Sequence, residues 1–196
     1  SLLRAVLEQL AATGTTLTAL RWCITSGEPL PPALLASCRR LLPGTTVINT
    51  YGTSEIWDAA AFDTRLLAPD ALRVPLGRPV PNLRAYIVDR AGGLLPPGIP
   101  GELCVAGVGV GPGYWRRPAL TAEKFGELDL GDAGRERVYR TGDRARWLPD
   151  GTLECLGRLD AQFKLRGQRI EPAEIEQALE VHPAVSAAMA GPVGEG

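Results

Sequence analysis

Between residues 83 and 157 the chain offers only short apolar runs closed by turn pairs, and a segment so punctuated has few ways to fold. LRAYIVD (83–89), GELCVAG (101–107), ERVYRTGD (136–143), RARWLP (144–149) and GTLECLG (151–157) have strand length and strand composition. Gly92-Gly93, Pro96-Pro97 and Asp150-Gly151 separate them. An Asp-Gly pair accepts the positive φ angles of a tight hairpin, so RARWLP and TLECL should pair antiparallel. The whole stretch from about residue 72 reads as an antiparallel, barrel- or sandwich-like block.

The first fifty residues have a different texture. Leu2, Leu3, Val6, Leu7 and Leu10 recur at helical spacing. Arg4 and Glu8 interrupt the apolar stretch, which argues for an amphipathic helix and against a signal peptide. LRWCIT (20–25) then reads as a short strand. PPALLASCRRLL reads as a helix opened by Pro31-Pro32 and stopped by Pro43-Gly44, and TTVINTY (45–51) as a second strand. Strand, helix and strand in that order predict a βαβ unit with parallel strands. The residues after its second strand, 52–56, are expected as a loop at the carboxyl end of a strand, where open α/β sheets bind ligands. At the other end, FKLRGQRI reads as a small hairpin about Arg166-Gly167 and EPAEIEQALEVH as a helix with Ile175, Ala178, Leu179 and His182 on one face. PAVSAAMAG reads as a closing strand. The expected division is 1–158 and 159–196.

Composition removes several function classes. With 196 residues, the chain can bury about 70% of its unfolded surface, enough for one or two cores. The 21 basic and 22 acidic residues leave a net charge of −1, which argues against nucleic acid as a partner. No apolar run approaches the ~20 residues of a membrane-spanning helix. Cys23, Cys38, Cys104 and Cys155 form no CxxC pair, so reduced thiols in a cytoplasmic protein are expected in place of a zinc site. The only histidine, His182, stands beside Pro183 at a helix end and reads as a surface or cap residue.

Four segments carry candidate chemistry. Asn49-Thr50-Tyr51-Gly52-Thr53-Ser54-Glu55 sets an aromatic ring, hydroxyls and a carboxylate at a strand end; it fits a phosphate and Mg²⁺ site, or a polar turn. Tyr139-Arg140-Thr141-Gly142-Asp143 offers a carboxylate that could accept two ribose hydroxyls, or an Asp-containing turn between strands. Residues 158–169 hold four cationic side chains, Arg158, Lys164, Arg166 and Arg169, fitting an anion or a solvated hairpin. The glycine run Gly107 to Gly113 fails the dinucleotide spacing, because Pro112 stands where the last glycine belongs; it reads as strand-and-turn glycines.

NTYGTSE, GELCVAGVGVGPGYW, YRTGD and GRLDAQFKLRGQRIEPAEIE occur in this order over nearly the whole chain. Together they resemble the adenylate-forming (AMP-binding) superfamily, most of all the amino-acid adenylation domains of nonribosomal peptide synthetases. The resemblance implies an α/β fold: the C-terminal part of the large subdomain followed by the start of a small α+β one. It implies two half-reactions. A carboxylate attacks the α-phosphate of MgATP to give an acyl-AMP and pyrophosphate, and the phosphopantetheine thiol of a carrier protein then takes the acyl group.

By the same resemblance, Asn49 and Tyr51 contact and stack on adenine, with Gly52 beside them. Ser54 bonds the α-phosphate and Glu55 holds Mg²⁺. Asp143 binds the ribose, Arg158 approaches ribose and phosphate, and Asp160 is the hinge. Gly167 lines the pantetheine channel, while Ile24, Ser26, Thr50, Asp58 and Ala59 line the amino-acid pocket. An amino-acid substrate, a peptidyl carrier domain and a neighbouring condensation domain are the implied partners. Two departures stand out: Thr53-Ser54 replaces the usual Pro-Thr, and Gly111-Pro112 replaces the usual Ala-Arg. The family's phosphate loop would precede residue 1 and its late catalytic lysine would follow residue 196, so the resemblance implies a fragment. Lys164 does not match that lysine. A free-standing acyl- or aryl-CoA ligase and a catalytically incomplete nucleotide-binding module are the competing readings; the wording of QFKLRGQRIEPAEIE and NTYGTSE leans towards the peptide synthetase.

Overall fold

The computed structural model describes residues 2–165, 168–182 and 184–191. Helix α1 (Leu2–Thr13) buries Leu7 and Leu10 from its apolar stripe. Strand β1 (Trp22–Thr25) leads to helix α2 (Pro32–Leu41), whose first turn holds proline where no backbone donor is needed. Arg39 and Arg40 lie in its last turn, where cations favour the helix dipole. Strand β2 (Thr46–Thr53) runs parallel to β1, with Ile24 opposite Ile48. The expected βαβ unit is therefore present. Leu7, Leu10, Leu30, Leu35, Cys38, Leu42 and Val47 form its core.

The connection after β2 differs from expectation. The loop expected over 52–56 is a hairpin: β2 runs on to Thr53, turns over 54–56, and returns as β3 (Trp57–Asp63). Gly52 sits at a register shift beside Tyr51, and a Cβ there would lie 1.9 Å from the Trp57 carbonyl oxygen, so only glycine fits. A two-residue strand, β4 (Arg78–Pro79), completes this sheet in the order β1-β2-β3-β4.

The second sheet is antiparallel, as expected. Strands β5 (Leu83–Val88) and β6 (Gly101–Gly107) form one side. Helix α3 (Pro118–Lys124) and strand β7 (Phe125–Asp129) follow, then β8 (Arg135–Trp147) and β9 (Leu153–Arg158). ERVYRTGD and RARWLP, read as two strands, are one 13-residue strand. β6 lies along one edge of β8, while β7 borders its first part and β9 its second. The Asp150-Gly151 turn closes the β8–β9 hairpin as predicted, with Leu148 N–H donating to the Thr152 carbonyl at 2.8 Å.

The two sheets face each other across a common core. Tyr51, Ile56, Ala59, Ala60 and Leu76 pack against Ile87, Leu103, Val105, Tyr139, Ala145 and Leu153. The opposite face of the second sheet buries Val88, Cys104, Ala106, Leu128 and Val138. Alternation along β6 thus sends Leu103 and Val105 one way and Cys104 and Ala106 the other. All four cysteines are free thiols, and burial pushes the Cys104 thiol up to about 12, which makes it unreactive.

Beyond β9, strands β10 (Phe163–Leu165) and β11 (Gln168–Ile170) pair antiparallel, and helix α4 (Pro172–Glu180) follows. The predicted hairpin and helix are both present. Ile175 and Leu179 remain 42% and 49% exposed, so the apolar face of α4 is only partly covered. The closing strand expected over 183–191 is not there: residues 184–191 hold no strand, and the glutamates of α4 accept main-chain N–H groups from Ala188 and Ala190. No helix among the described residues is long and apolar enough to cross a membrane.

Candidate active site

Four segments that lie far apart in sequence meet between the sheets. The first is the β2–β3 turn, Thr53-Ser54-Glu55. Ser54 is exposed and Glu55 half-buried. Thr53 Oγ1 is buried and meets no hydrogen-bond partner among the described residues. The second is the glycine run after β6. Gly111 N–H donates to the Glu55 carbonyl at 2.8 Å, and the Tyr114 hydroxyl donates to Glu55 Oε1 at 2.6 Å. These glycines therefore back the turn, a role their sequence pattern does not reveal. Burial, the Glu55 carboxylate and the neighbouring Tyr139 phenol push the Tyr114 phenol well above its ordinary range, so it stays a donor.

The third and fourth segments form an ionic network. Asp143 is only 8% exposed. Its Oδ2 accepts from the Tyr51 hydroxyl, and its Oδ1 accepts from Arg158 Nη1 at 3.0 Å. The same Nη1 donates to the Thr141 carbonyl at 2.8 Å. Arg158 Nε and Nη2 then reach both oxygens of Asp160, at 2.9 and 2.6 Å. One planar guanidinium thus bridges a buried carboxylate and an outer one, which suits its fixed fork of donors. Burial of Arg158 disfavours its charge, but Asp160 and Asp143 overcome this and hold it protonated. Burial likewise works against the Asp160 anion, and Arg158 outweighs it, holding that carboxyl below the usual range.

Asp143 was expected on a turn between strands. It lies within β8, beside Gly142 at φ +72°, where the ladder to β6 shifts register. A Cβ on Gly142 would come within 2.7 Å of Arg158 Nη2, so glycine makes room for the bridge. Two further expectations change. Asn49 is 4% exposed, and its amide donates to the Pro75 carbonyl at 2.8 Å, fastening β2 to the loop before β4. Tyr51 is 8% exposed, with its ring in the core and its hydroxyl on Asp143; it presents no open ring. Burial first, and then the Asp143 charge, drive its phenol well above the ordinary range.

Of the expected amino-acid pocket, Ile24 is 67% exposed on the outer face of β1, and Thr50 follows Ile48 on that face of β2. Ser26 Oγ donates to Asp58 Oδ1 at 3.2 Å, and Thr50 Oγ1 donates to the Thr25 carbonyl at 3.3 Å. Ile24, Ser26, Thr50 and Asp58 are therefore neighbours at one end of the first sheet. Ala59 is 3% exposed and packs in the inter-sheet core, because the register shift at Tyr51 and Gly52 changes its face. Gly167 lies outside the described residues. Sequence reading also missed Arg137, which donates to the Gly111 and Pro112 carbonyls at 2.8 and 3.0 Å. It could have been sought opposite Glu127 on the β7–β8 ladder, but only tertiary contact aims it at the glycine run.

The donors at the turn are all oxygens, the choice of a hard divalent cation. Among the described residues no three acidic, histidine or cysteine side chains gather. Glu55 fits the binding style of Mg²⁺, which takes one or two carboxylates and completes its shell with phosphate and water. Two residues before Glu55, the buried Thr53 hydroxyl meets no partner among the described residues.

Comparison with known proteins identifies the family. A family model described as AMP-binding enzyme matches residues 1–115. Tyrocidine synthase 3 of Brevibacillus parabrevis is 43% identical over 179 residues, which are 91% of this chain and 3% of that protein. Gramicidin S synthase 2 of Brevibacillus brevis is 48% identical over 168 residues, 85% of this chain and 4% of its own. Among solved structures, PA1221, an NRPS protein containing adenylation and PCP domains, superposes with a TM-score of 0.76 at 29% identity, covering 85% of this chain and 34% of that one. The chain thus spans a small part of the relatives it matches.

Proposed function

Because this chain belongs to the AMP-binding enzyme family, we propose that it forms part of an amino-acid adenylation domain in a nonribosomal peptide synthetase. The observation that carries this reading is the linkage of four separated motifs through Gly111–Glu55, Tyr114–Glu55, Tyr51–Asp143, Asp143–Arg158 and Arg158–Asp160. In the proposed reaction, the amino-acid carboxylate forms a bond to the α-phosphorus of ATP as the bond to pyrophosphate breaks. A carrier thiolate then bonds the acyl carbon as AMP leaves.

Ser54, exposed on the turn, would donate to a phosphate oxygen, and Glu55 would hold the cation. Mg²⁺, when bound, neutralises phosphate charge and so favours pyrophosphate departure. Both oxygens of Asp143 are already engaged, but each has a second lone pair, so ribose hydroxyls can share them. Arg158 orients that carboxylate and faces the developing negative charge. Ile24, Ser26, Thr50 and Asp58 surround the substrate side chain, where Asp58 favours a polar or basic group. Residues 1–158 belong to the large subdomain and 159–196 to the small one, with Asp160 at the junction and a peptidyl carrier domain as partner.

The test is amino-acid-dependent exchange of pyrophosphate into ATP by the full-length protein carrying this chain, followed by loading of a carrier domain. Exchange with one or a few amino acids is expected. Exchange driven only by aryl or fatty acids would identify a CoA-ligase-type enzyme instead, and no exchange with any acid would mark a binding module.

A further inference from the structure

Tyr114 has no part of its own in the proposed reaction, yet its hydroxyl ends on the Glu55 carboxylate. It donates to Glu55 Oε1 at 2.6 Å across 59 residues of sequence. Its own position is over-determined. The Tyr114 N–H donates to Thr121 Oγ1 at 2.9 Å, tying it to α3. Its ring meets Phe125 edge-on at 5.4 Å, and Phe125 rests on Tyr139 at 5.0 Å. The Arg137 guanidinium lies 5.1 Å over the Phe125 ring while holding the Gly111 and Pro112 carbonyls, and the Gly111 N–H holds the main chain of Glu55. Ring, loop and strand therefore leave the phenol one aim.

A glutamate has three side-chain torsions, and an unheld one must lose that freedom each time it captures an ion. A hydrogen bond to the anion removes the loss in advance and is among the stronger kinds. We propose that Tyr114 is a positioning residue for Glu55: its hydroxyl holds the carboxylate in the orientation that receives a divalent cation, and so sets cation affinity. This rests on reading Glu55 as the cation ligand.

The experiment compares wild type, Tyr114→Phe and Glu55→Gln in the full-length protein. Mn²⁺ binding in the presence of a non-hydrolysable ATP analogue is followed by water-proton relaxation, alongside pyrophosphate exchange and thermal unfolding. Phenylalanine keeps the ring contact and removes only the hydroxyl. Tyr114→Phe should weaken Mn²⁺ binding roughly tenfold, the scale of one hydrogen bond to a charged group. The apparent KM for Mg²⁺ should rise by a similar factor while the amino-acid KM and the melting temperature stay put. Unchanged Mn²⁺ affinity in Tyr114→Phe, with affinity lost in Glu55→Gln, would overturn the positioning role and leave the cation site standing. Unchanged affinity in Glu55→Gln would overturn both.

Discussion

The two halves of the candidate site are held in opposite ways. At the β2–β3 turn, main-chain contacts and one phenol fix the backbone and aim Glu55, while Ser54 stays exposed. At β8 and β9 the same task falls to charge: Asp143 is buried between Tyr51 and Arg158, and Arg158 reaches on to Asp160. A turn held by its backbone can lose a side chain without losing shape. A buried ion pair cannot, because removing one partner leaves the other desolvated and unpaired. The turn half should therefore separate chemistry from stability, and the strand half should couple them.

Asp143→Ala probes that coupling with the largest expected effect. Arg158 and the Tyr51 hydroxyl both lose an acceptor in a poorly solvated place. Chemical denaturation should show a loss of about 3 kcal/mol, together with loss of nucleotide binding. A stability change near zero would show that Asp160 alone satisfies Arg158 and would erase the difference between the halves.

Glu55→Gln tests the turn half. Pyrophosphate exchange should fall by about a hundredfold, as on loss of one charge-stabilising group. Stability should fall by no more than about 1 kcal/mol, because the glutamine carbonyl still accepts from the Tyr114 hydroxyl and only the charge is lost. Unfolding at markedly lower denaturant would make Glu55 a structural residue and the two halves alike.

The smallest effect concerns the outer end of the Arg158 bridge. The Asp160 carboxyl is held below its ordinary range, so its pairing contributes stability that is complete above the unfolded value of about 4. It is lost as pH falls through the lower folded value. Its side chain is 38% exposed, so screening limits the contribution to below about 1 kcal/mol. Asp160→Asn should therefore be slightly less stable than wild type at pH 6, with the gap closing below about pH 4. A gap that persists at pH 3 would mean that shape, and not charge, holds this junction.

Local pattern made much of the fold legible. The βαβ opening, the Asp150-Gly151 hairpin, the antiparallel block and the α4 helix all follow from periodicity and turn residues acting over a few positions. β3 escaped because Trp57–Asp63 carries three alanines, which favour strands poorly and give no alternation. Two of them are buried between the sheets, so burial on the packed sheet, not local preference, makes that strand. β7 is likewise a polar edge strand whose partner, the first part of β8, lies only six residues further on yet gives no hairpin pair such as Asn-Gly.

Residue type and order alone determined which side chains could do chemistry here: a carboxylate and hydroxyls at 53–55, an aspartate at 143, an arginine at 158. Tertiary structure decided what each of them meets. Tyr51 finds Asp143 across 92 residues and Tyr114 finds Glu55 across 59, because sheet packing sets those partnerships. Glycines that read as turns became the backing of the β2–β3 turn, and the Tyr51 hydroxyl became a buried donor to Asp143. Periodicity carries the face a residue takes within its own element, whereas partners across elements depend on register and packing, which no local stretch of sequence contains.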